Sequence, residues 1–186
     1  AHATDVVDEA APLRATDPYG ASKICGEALM RAYVRTQGID GTTLRVAMVY
    51  GPGRTTACPV RNAIKLGAEG WPLVLPYGRG WQRQYIHVDD VVAVNLWLFD
   101  NPQISGIFNV GTGRAQSFNE VAHAAMSWHG AGGIDYIPFP DHLKGRYQSF
   151  TEADMGALRA AGYAQRFTPV EEGVPRYLDW LKQRGL

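Results

Sequence analysis

Ile24, Ala28, Leu29, Ala32 and Tyr33 recur at i, i+4, i+5, i+8 and i+9. That spacing predicts a helix over roughly Tyr19 to Gln37 with one face turned to a core. Pro18 precedes it and Gly38 closes it, the expected order of breaker residues. Thr42 to Val49 (TTLRVAMV) is β-branched and mostly apolar without alternation, and it ends at Tyr50-Gly51-Pro52-Gly53. This reads as a strand buried on both faces of a parallel sheet, followed by a turn. Further on, the pattern predicts a helix over Pro59 to Gly70 and strands over Leu73 to Tyr77 and Gln84 to Val88. Asp89 and Asp90 are expected to cap an apolar helix running through Leu98. Ile107 to Val110 reads as a strand entering the turn Gly111-Thr112-Gly113, and Ser117 with Glu120 as a capping box for a helix to about Trp128. Ile134 to Ile137 is a short strand. One helix follows Thr151, and a last one is expected to be capped by Thr168, to begin at Pro169 and to be kinked by Pro175.

Strands alternating with helices predict an α/β protein built on a parallel sheet. Four or five short strands and six helices, with the last third mostly helical, make a lopsided set for a free-standing sheet covered on both faces. The expectation is that further strands precede Ala1. Composition narrows the class: 46% apolar and 19% charged residues exclude a disordered tail or a coiled coil. Eighteen basic and eighteen acidic side chains cancel, which leaves no bulk electrostatic footprint for nucleic acid or an anionic membrane. The longest apolar run, Val91 to Phe99, is interrupted by Asn95 and too short to span a bilayer. Two cysteines, Cys25 and Cys58, lack metal-ligand spacing and fit a reducing cytoplasm.

Candidate chemistry starts at Tyr19-Gly20-Ala21-Ser22-Lys23. Positions i and i+4 share a helix face, which brings a phenol and an ammonium together. A cation beside a tyrosine favours its phenolate, and such a tyrosine can exchange a proton with a substrate hydroxyl near neutral pH. By itself the pair is more simply read as a tyrosine packed at a helix start. His87, His123, His129 and His142 have no metal spacing, Trp97 and Trp128 read as core, and Gly111-Thr112-Gly113 reads as a strand-end turn.

The order of motifs adds to this. Pro18-Tyr19-Gly20-Ala21-Ser22-Lys23 comes first, then Leu44-Arg45, then Val49-Tyr50-Gly51-Pro52. Arg83 through Asp90 (RQYIHVDD) follows, and then Gly106 through Gly113 (GIFNVGTG). In this order they resemble the extended short-chain dehydrogenase/reductase superfamily of sugar-nucleotide epimerases and dehydratases, over essentially the whole chain. After about Val91 the text is most similar to the ADP-L-glycero-D-manno-heptose 6-epimerases. The matching stretches are Val94 to Trp97, Ser105 to Arg114, Tyr136 to Pro140, Leu143 to Gln148 and Leu158 to Tyr163.

The resemblance implies the C-terminal part of a Rossmann-type doubly wound sheet plus a smaller α/β substrate domain, with the cofactor-binding N-terminal half absent from these residues. The expected division is 1–57 with 83–113 for the Rossmann remainder and 58–82 with 114–186 for the substrate side. It implies NADP, or NAD, as cofactor, a nucleotide-diphosphate sugar as substrate, a cytoplasmic location and a homo-oligomer, with no nucleic-acid or membrane partner. Tyr19 would be the acid/base, and Lys23 would bind the nicotinamide ribose. Val49 would line the cofactor site, Arg83 would grip the diphosphate, and Tyr147 and Arg146 would contact substrate.

Some positions depart from the pattern. No G-x-x-G-x-x-G or G-x-G-x-x-G occurs in the 186 residues; under the resemblance, the phosphate-binding turn is expected in a segment before Ala1. The asparagine that heptose epimerases carry before V-Y-G-P is Met48 here, and the following loop, Gly53 to Pro59, has Arg54 but no lysine. Methionine offers a sugar no amide, and a guanidinium is a poor base. Three readings stay open at this point: heptose epimerase, another nucleotide-sugar epimerase, dehydratase or reductase, and an inert fragment or chimera that binds no cofactor.

Overall fold

The computed structural model describes residues 6–15, 17–54, 73–75, 82–136 and 150–185. The expected helix after Pro59, the turn at Gly78 to Gly80, Cys58, His142, Tyr147 and Arg146 lie outside them.

The fold is α/β with mainly parallel pairing, as the strand and helix pattern predicts. After a short strand β1 (Val6–Val7), helix α1 spans Pro18–Gln37. The Asp17 carboxylate accepts the Gly20 N–H at 2.6 Å as its N-cap, and Gly38 ends it in the left-handed region at φ 64°. The predicted strand Thr42 to Val49 is two strands, β2 (Thr42–Val46) and β3 (Met48–Tyr50). Ala47 separates them, its N–H donating to Val110 O at 2.8 Å. Strict alternation would put Leu44 and Ala47 on opposite faces, yet Leu44, Ala47 and Val49 all pack on one apolar cluster. The break therefore shifts the pleat by one residue and lets one stretch of chain serve two neighbours.

β2 pairs in parallel with β6 (Gly106–Val110), and β3 in parallel with β5 (Gln82–His87). β7 (Ala115–Ser117) adds to β5 antiparallel. Two small parallel pairs complete the described strands: β4 (Leu73–Leu75) with β8 (Ile134–Tyr136), and β1 with β9 (Glu152–Ala153).

Helix α2 (Val88–Asp100) and short helix α4 (Gly156–Ala160) cover one face, where Ile86, Val94, Phe108, Val110, Leu158 and Tyr163 are buried together. On the other face lie α3 (Phe118–His129) and α5 (Val170–Gln183), which enclose Tyr50 and Tyr85 with Val121, Val174, Tyr177 and Leu178. α3 has the capping box read from Ser117 and Glu120. α5 buries Val170, Gly173, Val174, Tyr177, Leu178 and Leu181, an i, i+3, i+4 stripe that runs through Pro175 without ending.

Several local expectations are corrected. The N-cap of α2 is His87, whose Nδ1 accepts the Asp89 N–H at 3.3 Å, so Asp89 and Asp90 lie in the first turn. Asp90 reaches across the fold instead and accepts the Thr168 N–H at 2.8 Å and its hydroxyl at 3.1 Å. Thr168 is consequently tied to α2, and Pro169 occupies the N-cap of α5. The helix expected after Thr151 is present at Gly156–Ala160, with Glu152 and Ala153 first pairing with β1. On α1, Leu29 and Tyr33 are 54% and 55% exposed rather than core. The face turned inward carries Glu27 and half-buried Met30, with Val34 at its exposed edge; a Cβ at Gly41 would fall 2.6 Å from Met30 Sδ and 3.0 Å from Val34 Cγ2. Glu27 is the buried residue of this helix. None of the described helices is long and apolar enough to cross a membrane.

Candidate active site

In an open parallel sheet, ligands sit beyond the carboxyl ends of the strands. Here those ends are Val46, Tyr50, His87 and Val110. α1 meets β2 through a short connection, residues 38–41, so the two run antiparallel and the N-terminus of α1 lies toward the carboxyl edge. That end of the helix carries Tyr19 and Lys23. The Lys23 ammonium stands 5.1 Å from the centre of the Tyr19 ring, within cation–π range. Tyr19 is 72% exposed, and its carbonyl accepts the Ser22 hydroxyl at 2.7 Å. A phenol and an ammonium thus share one exposed helix end.

Val49 lies on β3 opposite Ile86 and is half-buried against the cluster under α2. The turn after β3 is tight: Gly51 has φ 127°, and a Cβ there would meet Val88 Cγ1 at 2.8 Å and His87 Nε2 at 3.2 Å. Arg83 is on β5 opposite Gln116, only 8% exposed, with Nη1 donating to Gln82 O at 2.9 Å. The structure thus joins Tyr19 to Lys23 directly and sets Val49 and Arg83 on the neighbouring strands β3 and β5. Tyr147 and Arg146 fall outside the described residues. A groove of about 450 Å³ between α3 and α5 is lined by Glu120, His123, Trp128 and Glu171 and contains none of these residues.

Sequence reasoning passed over one group. Glu27, on α1, receives Arg45 of β2 through two bonds, Nε to Oε2 at 2.9 Å and Nη2 to Oε1 at 2.8 Å. Arg31 adds a third at 2.7 Å. The Arg45 fork holds the Glu27 carboxyl below the usual carboxylate range against the opposing effect of burial, with Arg31 assisting. Arg45 Nη1 also donates to Glu9 O at 3.0 Å, while the Asn109 N–H, opposite Arg45 in the β2–β6 register, donates to Glu9 Oε1 at 2.7 Å. The signal was present in the sequence: Glu27 continues the i, i+4 row of Tyr19 and Lys23.

Residues 2–111 match the NAD dependent epimerase/dehydratase family. The chain belongs to that family. It is 40% identical over 176 residues to an ADP-L-glycero-D-manno-heptose-6-epimerase of Alkalilimnicola ehrlichii, covering 89% of this chain and 55% of that protein. The chain therefore spans about half the length of this curated relative. Among solved structures, the Thermus thermophilus UDP-glucose 4-epimerase in complex with NAD superposes with a TM-score of 0.82 at 26% identity, covering 96% of this chain and 58% of that one. The dTDP-glucose 4,6-dehydratase of Bacillus anthracis in complex with NAD gives 0.83 at 20% identity, covering 97% and 56%. At that identity the likeness is one of fold. As a member of the epimerase/dehydratase family, the chain has the α/β architecture that its motif order implied.

Proposed function

We propose that the natural protein is a nucleotide-sugar epimerase that interconverts ADP-D-glycero- and ADP-L-glycero-D-manno-heptose in the cytoplasm, by transient NADP-dependent oxidation and re-reduction. The observation that carries the proposal is the exposed Tyr19–Lys23 pair at the carboxyl edge of the parallel strands, 5.1 Å from ammonium to ring centre. The 40% identity to a heptose epimerase supports the choice of sugar. In this reading, residues 1–57 and 83–113 form the cofactor side, residues 58–82 and 114–186 form the substrate side, and the enzyme works as a homo-oligomer.

The bound nicotinamide supplies a place for hydride to be held and returned. Tyr19 Oη takes the proton of the sugar hydroxyl as the carbon beneath it is oxidised, and gives the proton back when that carbon is reduced from its other face. Lys23 Nζ provides the positive charge beside the oxygen while it is anionic, and donates to ribose hydroxyls. Val49 packs against the cofactor. Arg83 offers a permanently charged, forked donor to the diphosphate, with Arg146 and Tyr147 contributing contacts to substrate.

A second reading has one specific observation in its favour. Met48 packs its side chain on the core with Tyr50 and Tyr85, so this strand position offers no amide to a sugar. That suits a different nucleotide-sugar epimerase, dehydratase or reductase. The test is Tyr19→Phe in the full-length protein, with turnover of ADP-heptose followed by NMR. Loss of a positioned acid/base should lower kcat by about 10²–10⁴-fold with KM little changed. Turnover of the variant within about threefold of the parent would overturn Tyr19's role. No turnover of ADP-heptose by the parent, with turnover of a UDP- or dTDP-sugar, would select the second reading.

A further inference from the structure

We infer that the Glu27–Arg45 ion pair is the positioning element that sets Tyr19 and Lys23 at the height of Val49 along the sheet; this rests on the proposed roles of Tyr19 and Lys23. At about 100° per residue, Tyr19, Lys23, Glu27, Met30 and Val34 fall within an arc of about 80° on α1. Met30 and Val34 press on Gly41, and Glu27 binds Arg45. One helix face therefore does two things. From Glu27 onward it is fixed, to Gly41 by Met30 and Val34 and to β2 by the bond to Arg45, and its N-terminal part projects past the strand end and carries the phenol and the ammonium.

The distances agree. From Glu27 back to Tyr19 is eight residues, about 12 Å of helix at 1.5 Å per residue. From Arg45 on to Val49 is four residues, about 13 Å of strand at 3.3 Å per residue. Because α1 and β2 run antiparallel, both intervals lead from the same ion pair to the same edge, so Tyr19 and Val49 arrive level. Methionine, valine and glycine contacts alone would tolerate sliding by a fraction of a turn. A two-pronged guanidinium–carboxylate pair does not, since both oxygens are engaged at 2.8 and 2.9 Å. With 8% of the Glu27 side chain and 18% of the Arg45 side chain exposed, water does not compete freely for it.

Arg45 is itself held from behind. Glu9 takes one Arg45 donor on its carbonyl and the Asn109 N–H on its carboxylate. The Asn109 amide in turn donates to Val7 O at 3.0 Å and Asp154 O at 3.1 Å. The fixed end of the ruler is thereby built into three strands, β1, β2 and β6, and the free end carries the chemistry.

The experiment uses the full-length protein in two variants, Glu27→Gln, which removes the charge, and Arg45→Lys, which keeps the charge but loses the fork. Each is assayed for kcat and KM well below its melting temperature. Each is also prepared with 3-fluorotyrosine, the position-19 signal being assigned with Tyr19→Phe. Both variants should lose at least tenfold in kcat with KM within about twofold, and both should show a shifted or split position-19 fluorine line. An Arg45→Lys protein that keeps parental kcat and a parental fluorine line would overturn the proposal, showing that charge alone suffices. The fluorine signal reads the placement of Tyr19 without turnover. If Tyr19→Phe proves active, the proposed function fails while a moved fluorine line in Glu27→Gln still supports the positioning role.

Discussion

Gly173→Ala in α5 sets two effects of opposite sign against each other. On helix propensity alone the substitution should stabilise, by about 1 kcal/mol. A Cβ at this position, however, would lie 2.0 Å from Tyr50 Oη, 2.9 Å from Cζ and 3.3 Å from Cε2. Tyr50 has nowhere to retreat. It is 1% exposed, with the Tyr85 ring 6.5 Å away and the His87 ring 5.4 Å away, both edge-on. Overpacking of this kind costs about 1–3 kcal/mol, and an overlap of more than an ångström belongs at the upper end. The net expectation is a loss of about 1–2 kcal/mol, or about 2–8 °C in Tm for a chain of this size. Tyr50→Phe is the control. Its hydroxyl is buried without a partner, and burial, then the Asp90 and Glu171 charges, push its pKa far above the ordinary tyrosine value. Removing that group should leave stability unchanged or raise it by up to about 1 kcal/mol. In the double variant the closest clash passes from Oη to Cζ, and at least half of the loss should return. Urea melts of the four proteins complete the cycle. A Gly173→Ala protein at or above the parental stability, or no coupling with Tyr50→Phe, would refute the reasoning.

Asp90→Ala removes the acceptor of both the Thr168 N–H and its hydroxyl; bonds to a charged acceptor are worth about 1.5–3 kcal/mol. The expected loss is about 2 kcal/mol, with hydrogen exchange quickening first at the start of α5; unchanged protection there would contradict the assignment. His87 gives a pH dependence. Burial holds its pKa below 6.5, with the Arg176 charge in the same direction and Asp89 and Asp90 opposing. The unfolded chain then takes up the proton first, so stability falls as pH drops below 6.5 until the folded His87 also titrates. His87→Gln should flatten Tm against pH in that window, and an unaltered slope there would exclude His87 as its source.

The legibility of the sequence differs from element to element. α1, α3 and α5 were readable because each carries its own local signal: proline and glycine at the ends of α1, Ser117 with Glu120 before α3, and Thr168 with Pro169 before α5. The Tyr19–Lys23 pair was readable for the same reason, since i and i+4 always share a helix face. The split of Thr42 to Val49 was not. It depends on Ala47 giving its N–H to Val110, a partner far along the chain. Capping was misread where a carboxylate near a helix start is used elsewhere: Asp90 serves Thr168, and His87 caps α2.

The sequence by itself determined the long helices, the α/β class with a parallel sheet, and the spacing of phenol and ammonium, which follow from periodicity and from chemistry within a few residues; the family came from the order of its motifs. The tertiary structure alone decided which face of α1 is packed. The apolar row through Leu29 and Tyr33 lies largely in solvent, while an acidic residue, Glu27, is buried. The reason is physical: hydrophobic pattern reports what a face prefers, but Arg45 on the facing strand offers a paired, forked donor, and a satisfied ion pair can occupy an interface that the pattern assigns to leucine.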